Sequence, residues 1–596
     1  MLVKISNQYQ LGILIFIILL NLSSCKQGQA ELDKKPNIIL ILTDDQGWGD
    51  LSLNGNRDIN TPNIDKLAQE GIVFNRFYVN AVCSPTRAEI LTGRYAVRSG
   101  VYSTSEGGER INLDETLLPE ILKDNGYKTG AFGKWHSGTQ GPYHPNSRGF
   151  DEYYGFTSGH WGNYFSPMLD HNGAIVQGSG FLPDDITNKA LEFIENHQEE
   201  PFFVFLPYNT PHSPMQVPDS LWDRFKNKTL TMKHRFQNKE AIEHTKAAYA
   251  LCENIDWNVG RIKEKLSHLA LTNQTIIIYM SDNGPNGWRY NGELKGIKGS
   301  VDEGGTRSPF IINWPENLQQ GKTIKQIAGA IDLLPTLIDL TNSKFTASNL
   351  DGISLAPLLK KPSTNWNNRF LVSNWNGKTS LRDQTFILDE NNELFHLVND
   401  PQQTANVADL YPKVLDSMLT FKTQWEATVL TALPEKDERP TPVGYAKMPI
   451  TQLPARDAKF TGNIKRSNRW PNDSFLTNWT KENDTIYWEV EVMESGIYEA
   501  EMFYTCPNSS VGTKVVLSSN KSSIQQPIKE AHDPPLVGHE KDRAVRIESY
   551  VKDFITMPIG TIELEKGPNK ISLNHIPNEA FKGIDFRLLT LKRKAN

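Results

Sequence analysis

The chain is short of cysteine, of long apolar runs and of excess basic charge, and each shortage excludes something. Its 596 residues hold four cysteines, Cys25, Cys83, Cys252 and Cys506. A chain of this size with so few is not built on a disulfide framework. The longest apolar run, Leu11–Leu20, is interrupted by Gly12, and it is too short to cross a bilayer, which takes about 20 residues. Lys and Arg number 63 against 69 Asp and Glu, a formal net charge of −6. That balance excludes a general nucleic-acid partner, because neutralising phosphates needs a basic field. An anionic ligand must instead meet a local cluster of cations. No internal repeat or long disordered linker stands out, and the length predicts two or three core-forming units.

What is present begins with an address. Lys4, the run Leu11–Leu20 and Leu22-Ser23-Ser24-Cys25 read as a signal peptide over residues 1–24. The tetrad resembles a bacterial lipobox, which implies lipid on Cys25, a tether over 25–35 and membrane contact through the lipid alone. Lys26 is unlike the Asp that retains many lipoproteins at the inner membrane. The expected location is the bacterial cell envelope: outer membrane, cell surface or periplasmic face. With Cys25 lipidated, the three remaining cysteines cannot all pair.

Several apolar runs end in polar residues. Asn37–Thr43 leads to Asp44-Asp45, Thr129–Gly133 to Lys134-Trp135-His136, Pro201–Leu206 to Asn209–His212, and Thr275–Met280 to Ser281-Asp282-Asn283. Continuous apolar runs of about four to eight residues suit strands buried on both faces. Helical patterns lie between them, over Thr61–Gly71, around Leu117–Leu122, and at Leu251, Ile255, Val259, Ile262 and Leu266. The alternation predicts an α/β fold, a doubly wound and mainly parallel sheet over 36–340. Ligands bind beyond the carboxyl ends of such strands, where those polar residues fall. A small antiparallel subdomain with a closing helix is expected over 341–433, a linker over 434–454, and an all-β sandwich over 455–596. The sandwich is open to two readings, a carbohydrate-binding module or a structural element.

The segment Cys83-Ser84-Pro85-Thr86-Arg87, followed by Thr92-Gly93-Arg94, carries the chemistry. Pro85 suits a first helical turn, so Cys83 is expected where a helix begins and an anion is favoured. Cys-x-Pro-x-Arg with a following Thr-Gly-Arg resembles the signature of type I sulfatases of the alkaline phosphatase superfamily. The resemblance spans about residues 36–430. It implies that a formylglycine-generating maturation enzyme oxidises Cys83 to an aldehyde whose hydrate attacks sulfur, and that Arg87 binds the oxyanion. It also implies a Ca²⁺ ion held by Asp44, Asp45, Asp282, Asn283 and the modified Cys83. Oxygen-only ligands suit a hard cation, and no clustered His or Cys argues for zinc.

A third set is cationic: Lys134 and His136, His212, and Lys298 in Lys295-Gly296-Ile297-Lys298-Gly299. By resemblance, Lys134, His212 and Lys298 hold sulfate oxygens, His212 or Lys298 protonates the leaving alcohol, and His136 orients or deprotonates the diol. Lys295 competes with Lys298 for its role, and the Gly-x-Lys-Gly pattern favours Lys298. Candidate sugar contacts are His160, Trp161, Trp288 and Arg289, whose aromatics either stack on sugar rings or cover the sheet edge. The expected substrate is a sulfated oligo- or polysaccharide, such as the algal polysaccharides ulvan or carrageenan. The alternatives are a formylglycine-dependent phosphonate or phosphodiester hydrolase, and an inactive, glycan-binding surface lipoprotein.

Overall fold

The computed structural model describes residues 35–346, 349–362, 364–434 and 436–594. The expected signal peptide and the lipid acceptor Cys25 lie outside them. Among the described residues no helix is long and apolar enough to cross a membrane.

A ten-stranded sheet forms the centre. Its strands in chain order are β1 (Asn37–Asp44), β2 (Ile72–Phe74), β3 (Lys128–Lys134), β4 (Glu152–Phe156), β5 (Met168–His171), β6 (Ala174–Gln177), β7 (Phe202–Pro211), β8 (Thr275–Ser281), β9 (Phe310–Asn313) and β10 (Lys322–Ile324). They lie in the order β10-β2-β9-β8-β1-β7-β3-β4-β5-β6. The middle strands β8, β1, β7, β3 and β4 run parallel, while β9, β5 and β6 add antiparallel pairings.

Alternation along β1 explains why the sheet is wound on both faces. Ile38, Leu40 and Leu42 enter one core with the helices α2 (Cys83–Thr92), α3 (Leu118–Asp124) and α6 (Leu333–Leu340). Ile39 and Ile41 enter the opposite core with α1 (Pro62–Gln69), α4 (Leu182–Asn196) and α5 (Ile242–His268). Side chains two residues apart share a face, so a strand apolar at every position must be covered twice.

Beyond the central sheet, Leu371–Trp375, Lys378–Arg382, Phe386–Leu388 and Leu394–His396 form an antiparallel meander. The helix α7 (Pro412–Val429) closes it through Met418 and Trp425, packed with Leu381, Leu388 and Leu394. Two six-stranded sheets then share a core containing Trp479, Trp488, Tyr498 and Phe586. The stretch 434–454, expected as a linker, instead supplies strands to both sheets. Thr441–Val443 pairs with Val490–Val492, and Ile450–Pro454 pairs with Leu588–Lys592. Its prolines are compatible with strands at sheet margins.

The sandwich is docked on the central domain. Phe475, Phe503, Phe554 and Leu588 pack with Met168 and Ile175. Gln140 donates to the carbonyl of Gln452, Arg110 to those of Arg439 and Pro440, and Arg546 to that of Gly162.

Candidate active site

The site assembles at the carboxyl ends of β1, β8, β3 and β7. β1 and β8 are in register up to Thr43 and Ser281, so Asp44-Asp45 and Asp282-Asn283 leave the sheet side by side. In an extended strand, successive side chains point to opposite faces. Asp45 breaks that alternation with φ of 66°, a left-handed conformation that Asp tolerates. Ligand atoms of Asp44 and Asp45 thereby approach one another and His212 within 4.8 Å. The backbone N–H of Asp45 donates to Asp282 Oδ1 at 3.2 Å, and Asn283 Nδ2 donates to Asp45 Oδ1 at 2.8 Å.

Cys83 is the first residue of α2, after Val82 in extended conformation. Its Sγ lies within 4.8 Å of carboxylate oxygens of Asp44 and Asp282. Burial pushes the thiol up, against the pull of Lys134 and Lys298, so as a thiol it is not an activated nucleophile.

Cations surround the carboxylates. Lys134 Nζ donates to Asp44 Oδ2 at 2.8 Å, both side chains fully buried. Arg87 Nη2 donates to Asp282 Oδ2 at 2.8 Å and Nη1 to the Lys134 carbonyl at 2.7 Å, which leaves its buried Nε unpartnered. Lys298 Nζ is 2.7 Å from Asp45 Oδ1, and His212 Nε2 is 3.6 Å from Asp45 Oδ2. Lys295 instead pairs with Asp389 at 2.9 Å and Asp302 at 3.3 Å. The two lysines that compete in the sequence are thus separated by their partners.

The electrostatics follow from burial. Burial pushes Asp44 up to about 8, with Lys134 opposing and Asp282 and Asp45 adding to the rise. Burial alone would raise Asp45 too, but Lys298, His212 and Lys134 overcome it and hold the carboxyl below the usual range. Burial pulls His212 down to about 3 against the attraction of Asp45. Burial, then Lys134, holds His136 well below an ordinary histidine.

Two buried oxygens of the cage, Asp44 Oδ1 and Asn283 Oδ1, have no hydrogen-bond partner. Leaving such an acceptor unsatisfied costs about 1–3 kcal/mol. With the oxygens of Asp45 and Asp282, they fit a hard divalent cation, which takes oxygen ligands.

The expected sugar contacts divide. His160 is buried beside the site, its ring stacked on His212 at 6.0 Å and its Nε2 without a partner. Trp161 stacks on Phe156 at 5.1 Å and carries Arg587 over its ring at 5.3 Å, so it packs the sandwich onto the central domain. Trp288 packs edge-on against His234 and Phe236 and lines a groove with Arg235, Lys295 and Ser300. Arg289 is no substrate contact. It is fully buried, donating to Asp50 Oδ1 at 2.8 Å and Oδ2 at 2.6 Å and to the Asp45 carbonyl at 2.9 Å. Its chemistry is consumed by a carboxylate far away in sequence.

Other residues near the site had no local signal. Asn472 and Arg456 of the sandwich reach the His136 region, and Arg546 reaches Gly162 beside His160 and Trp161. The Glu548 carboxyl, pushed up by burial, also feels Lys298 and Arg546.

Comparison with known proteins settles the family. The model described as Sulfatase matches residues 36–343, more than half of the chain. The chain belongs to the sulfatase family. A second match, described as N-sulphoglucosamine sulphohydrolase, C-terminal, spans residues 298–424. The sulfatase is 32% identical to mouse N-acetylgalactosamine-6-sulfatase over 381 residues, covering 58% of this chain and 70% of the relative. It is also 32% identical to human arylsulfatase G, over 56% of this chain and 70% of that protein. Among solved structures, Ps i-CgsB in complex with k-i-k-neocarrahexaose superimposes with a TM-score of 0.61 at 31% identity. That likeness covers 66% of this chain and 93% of that one. The sulfatase is a sulfuric ester hydrolase with an α/β catalytic fold, and both family matches end before the sandwich.

Proposed function

We propose that this sulfatase removes sulfate from a carrageenan-type galactan, with formylglycine made from Cys83 as nucleophile and Ca²⁺ held by Asp44, Asp45, Asp282 and Asn283. The observation that carries the reading is the placement of Cys83 at the start of α2, inside the same cage as Asp44 and Asp282. The substrate class draws on Ps i-CgsB, whose complex holds k-i-k-neocarrahexaose.

In this reading the Cys83 Cβ becomes the hydrated aldehyde carbon, and the sulfur stands where one of its two hydroxyl oxygens would sit. One hydroxyl passes its proton to the carboxylate of Asp44 or Asp282 beside it, its oxygen attacks sulfur, and the bond from sulfur to the sugar oxygen breaks. Lys298 or His212 gives the departing alcohol a proton, and Lys134 offers its ammonium to the sulfate oxygens. His136 then takes the proton of the second hydroxyl, whose electrons re-form the aldehyde and release sulfate. Water restores the hydrate. When bound, the calcium ion would supply positive charge to stabilise oxygen anions. His160 Nε2 and the Arg546–Glu548 segment are candidate contacts for the sugar.

The test is release of sulfate from κ- and ι-type neocarra-oligosaccharides, measured by ion chromatography, together with the mass of the peptide containing Cys83. Turnover with the lighter aldehyde form is expected. Turnover by protein carrying only the thiol would overturn the mechanism, and release from other glycans alone would overturn the substrate. For location, we propose export and lipid anchoring at Cys25, based on Leu22-Ser23-Ser24-Cys25. A Cys25→Ala variant should leave the membrane fraction of the native host, and unchanged fractionation would refute the anchor.

A further inference from the structure

His136 is held in one tautomer by a backbone carbonyl. Its Nε2 lies 2.8 Å from the Thr104 oxygen. A carbonyl only accepts, so Nε2 carries the proton and Nδ1 keeps the lone pair. Nδ1 is buried and has no partner, as a base waiting for a substrate proton would be. Everything then depends on where the Thr104 carbonyl points.

That carbonyl has a second donor, and it comes from the sandwich. Asn472 Nδ2 donates to Thr104 O at 3.2 Å. The amide orientation is set by its other side: Oδ1 accepts from Arg456 Nη1 at 3.1 Å and from Ser158 Oγ at 3.2 Å. Because Arg456 is always a donor, the amide nitrogen must face Thr104. Asn472 and His136 also press on one glycine. A Cβ on Gly159 would lie 2.4 Å from Asn472 Nδ2 and 2.7 Å from His136 Nε2.

We propose that Asn472, in the C-terminal sandwich, is a positioning residue for His136, fixing the Thr104 carbonyl and thereby the tautomer that presents Nδ1 to the reacting group. This rests on the reading of His136 as the base. It makes the sandwich part of the catalytic unit, since the residue acts before any polymer is bound. The opposing possibility is that Ser84, whose Oγ donates to the Ser103 carbonyl at 2.7 Å, anchors the loop sufficiently by itself.

The discriminating variant is Asn472→Asp in the full-length, matured chain. It has the same shape and still accepts from Arg456 and Ser158, but it has lost the donor to Thr104. Turnover per folded molecule is measured with 4-nitrocatechol sulfate and with a sulfated neocarratetraose in parallel, alongside the melting temperature. The expected result is a kcat lowered roughly tenfold, the usual scale for losing an orienting partner, with KM and melting temperature held. Asn472→Ala is measured in the same way in case the aspartate variant folds poorly. An unchanged kcat, or a loss only in proportion to lost folded protein, would overturn the proposal. His136→Ala separates the two levels. If it loses turnover while Asn472→Asp does not, the Asn472 role alone falls; if it retains full turnover, the base assignment falls and this inference with it.

Discussion

Two buried ionic clusters hang from the end of β1, and they differ in how completely they are satisfied. Around Asp50, every demand is met. Arg289 donates to both carboxylate oxygens, the Gly47 N–H adds a further bond at 2.7 Å, and the guanidinium also reaches the carbonyls of Asp45 and Asn286. Around Asp44 and Asp282, the same degree of burial leaves Asp44 Oδ1, Asn283 Oδ1 and Arg87 Nε without partners. Burying a polar group unpaired is costly. The first cluster is therefore structural, bracing the turn that carries Asp45, and the second keeps open oxygen valences that a hard divalent cation fits. Burial and charge look alike in the two; unsatisfied valence tells them apart.

The largest effect that sharpens this contrast is at the nucleophile. Cys83→Ala should lower turnover on the order of 10⁴-fold or more while the melting temperature stays in place; full activity would break the assignment. Asp45→Asn should lower bound calcium, measured by inductively coupled plasma mass spectrometry, and activity together. Normal occupancy with normal turnover would place the cation elsewhere. Lys298→Ala should cost about 10²–10⁴-fold in kcat, whereas Lys295→Ala, which touches Asp389 and Asp302, should leave kcat near wild type. The reverse ranking would refute the separation of the two lysines.

On the structural cluster the effect moves to stability. Arg289→Ala removes the cationic partner of buried Asp50, and should destabilise by about 3–5 kcal/mol in urea denaturation. A loss of activity without loss of stability would return Arg289 to the substrate. The last test concerns the pH dependence set by Glu89, a buried acid that has neither a cage nor a cationic partner. Burial pushes it up to about 8 against the hydrogen bond from Asn80, from an ordinary value of 4.5. The native state thus keeps a proton that the unfolded chain has released. Its contribution is full below pH about 4.5 and is lost as pH rises to about 8. Glu89→Gln should flatten that decline in melting temperature; an unchanged slope would assign it to other groups.

Much of this site was legible because the sheet repeats one local rule. A strand apolar at every residue must be covered on both faces, and its polar continuation must emerge at the carboxyl edge. Asp44-Asp45, Lys134, His212 and Asp282-Asn283 all obey it. The signature around Cys83 added the chemistry. Arg289 was misread because Trp-Arg-Tyr looks the same whether its guanidinium meets a sugar or a buried aspartate 239 residues away. The linker was misread because proline in an edge strand and proline in a tether read alike.

By itself, the sequence determined the alternation of buried strands and helices, the family signature and the identity of the charged groups at the strand ends. These are matters of period and residue type, encoded within short windows. Tertiary structure decided that Lys298, which the Gly-x-Lys-Gly pattern only favours, meets Asp45 in place of Lys295, and it alone decided that Arg289 is spent on Asp50 and that Asn472 of the distant sandwich shares the Thr104 carbonyl with His136. Each of those is a pairing between groups far apart in the chain, and a donor's partner is set by where folding brings the acceptor.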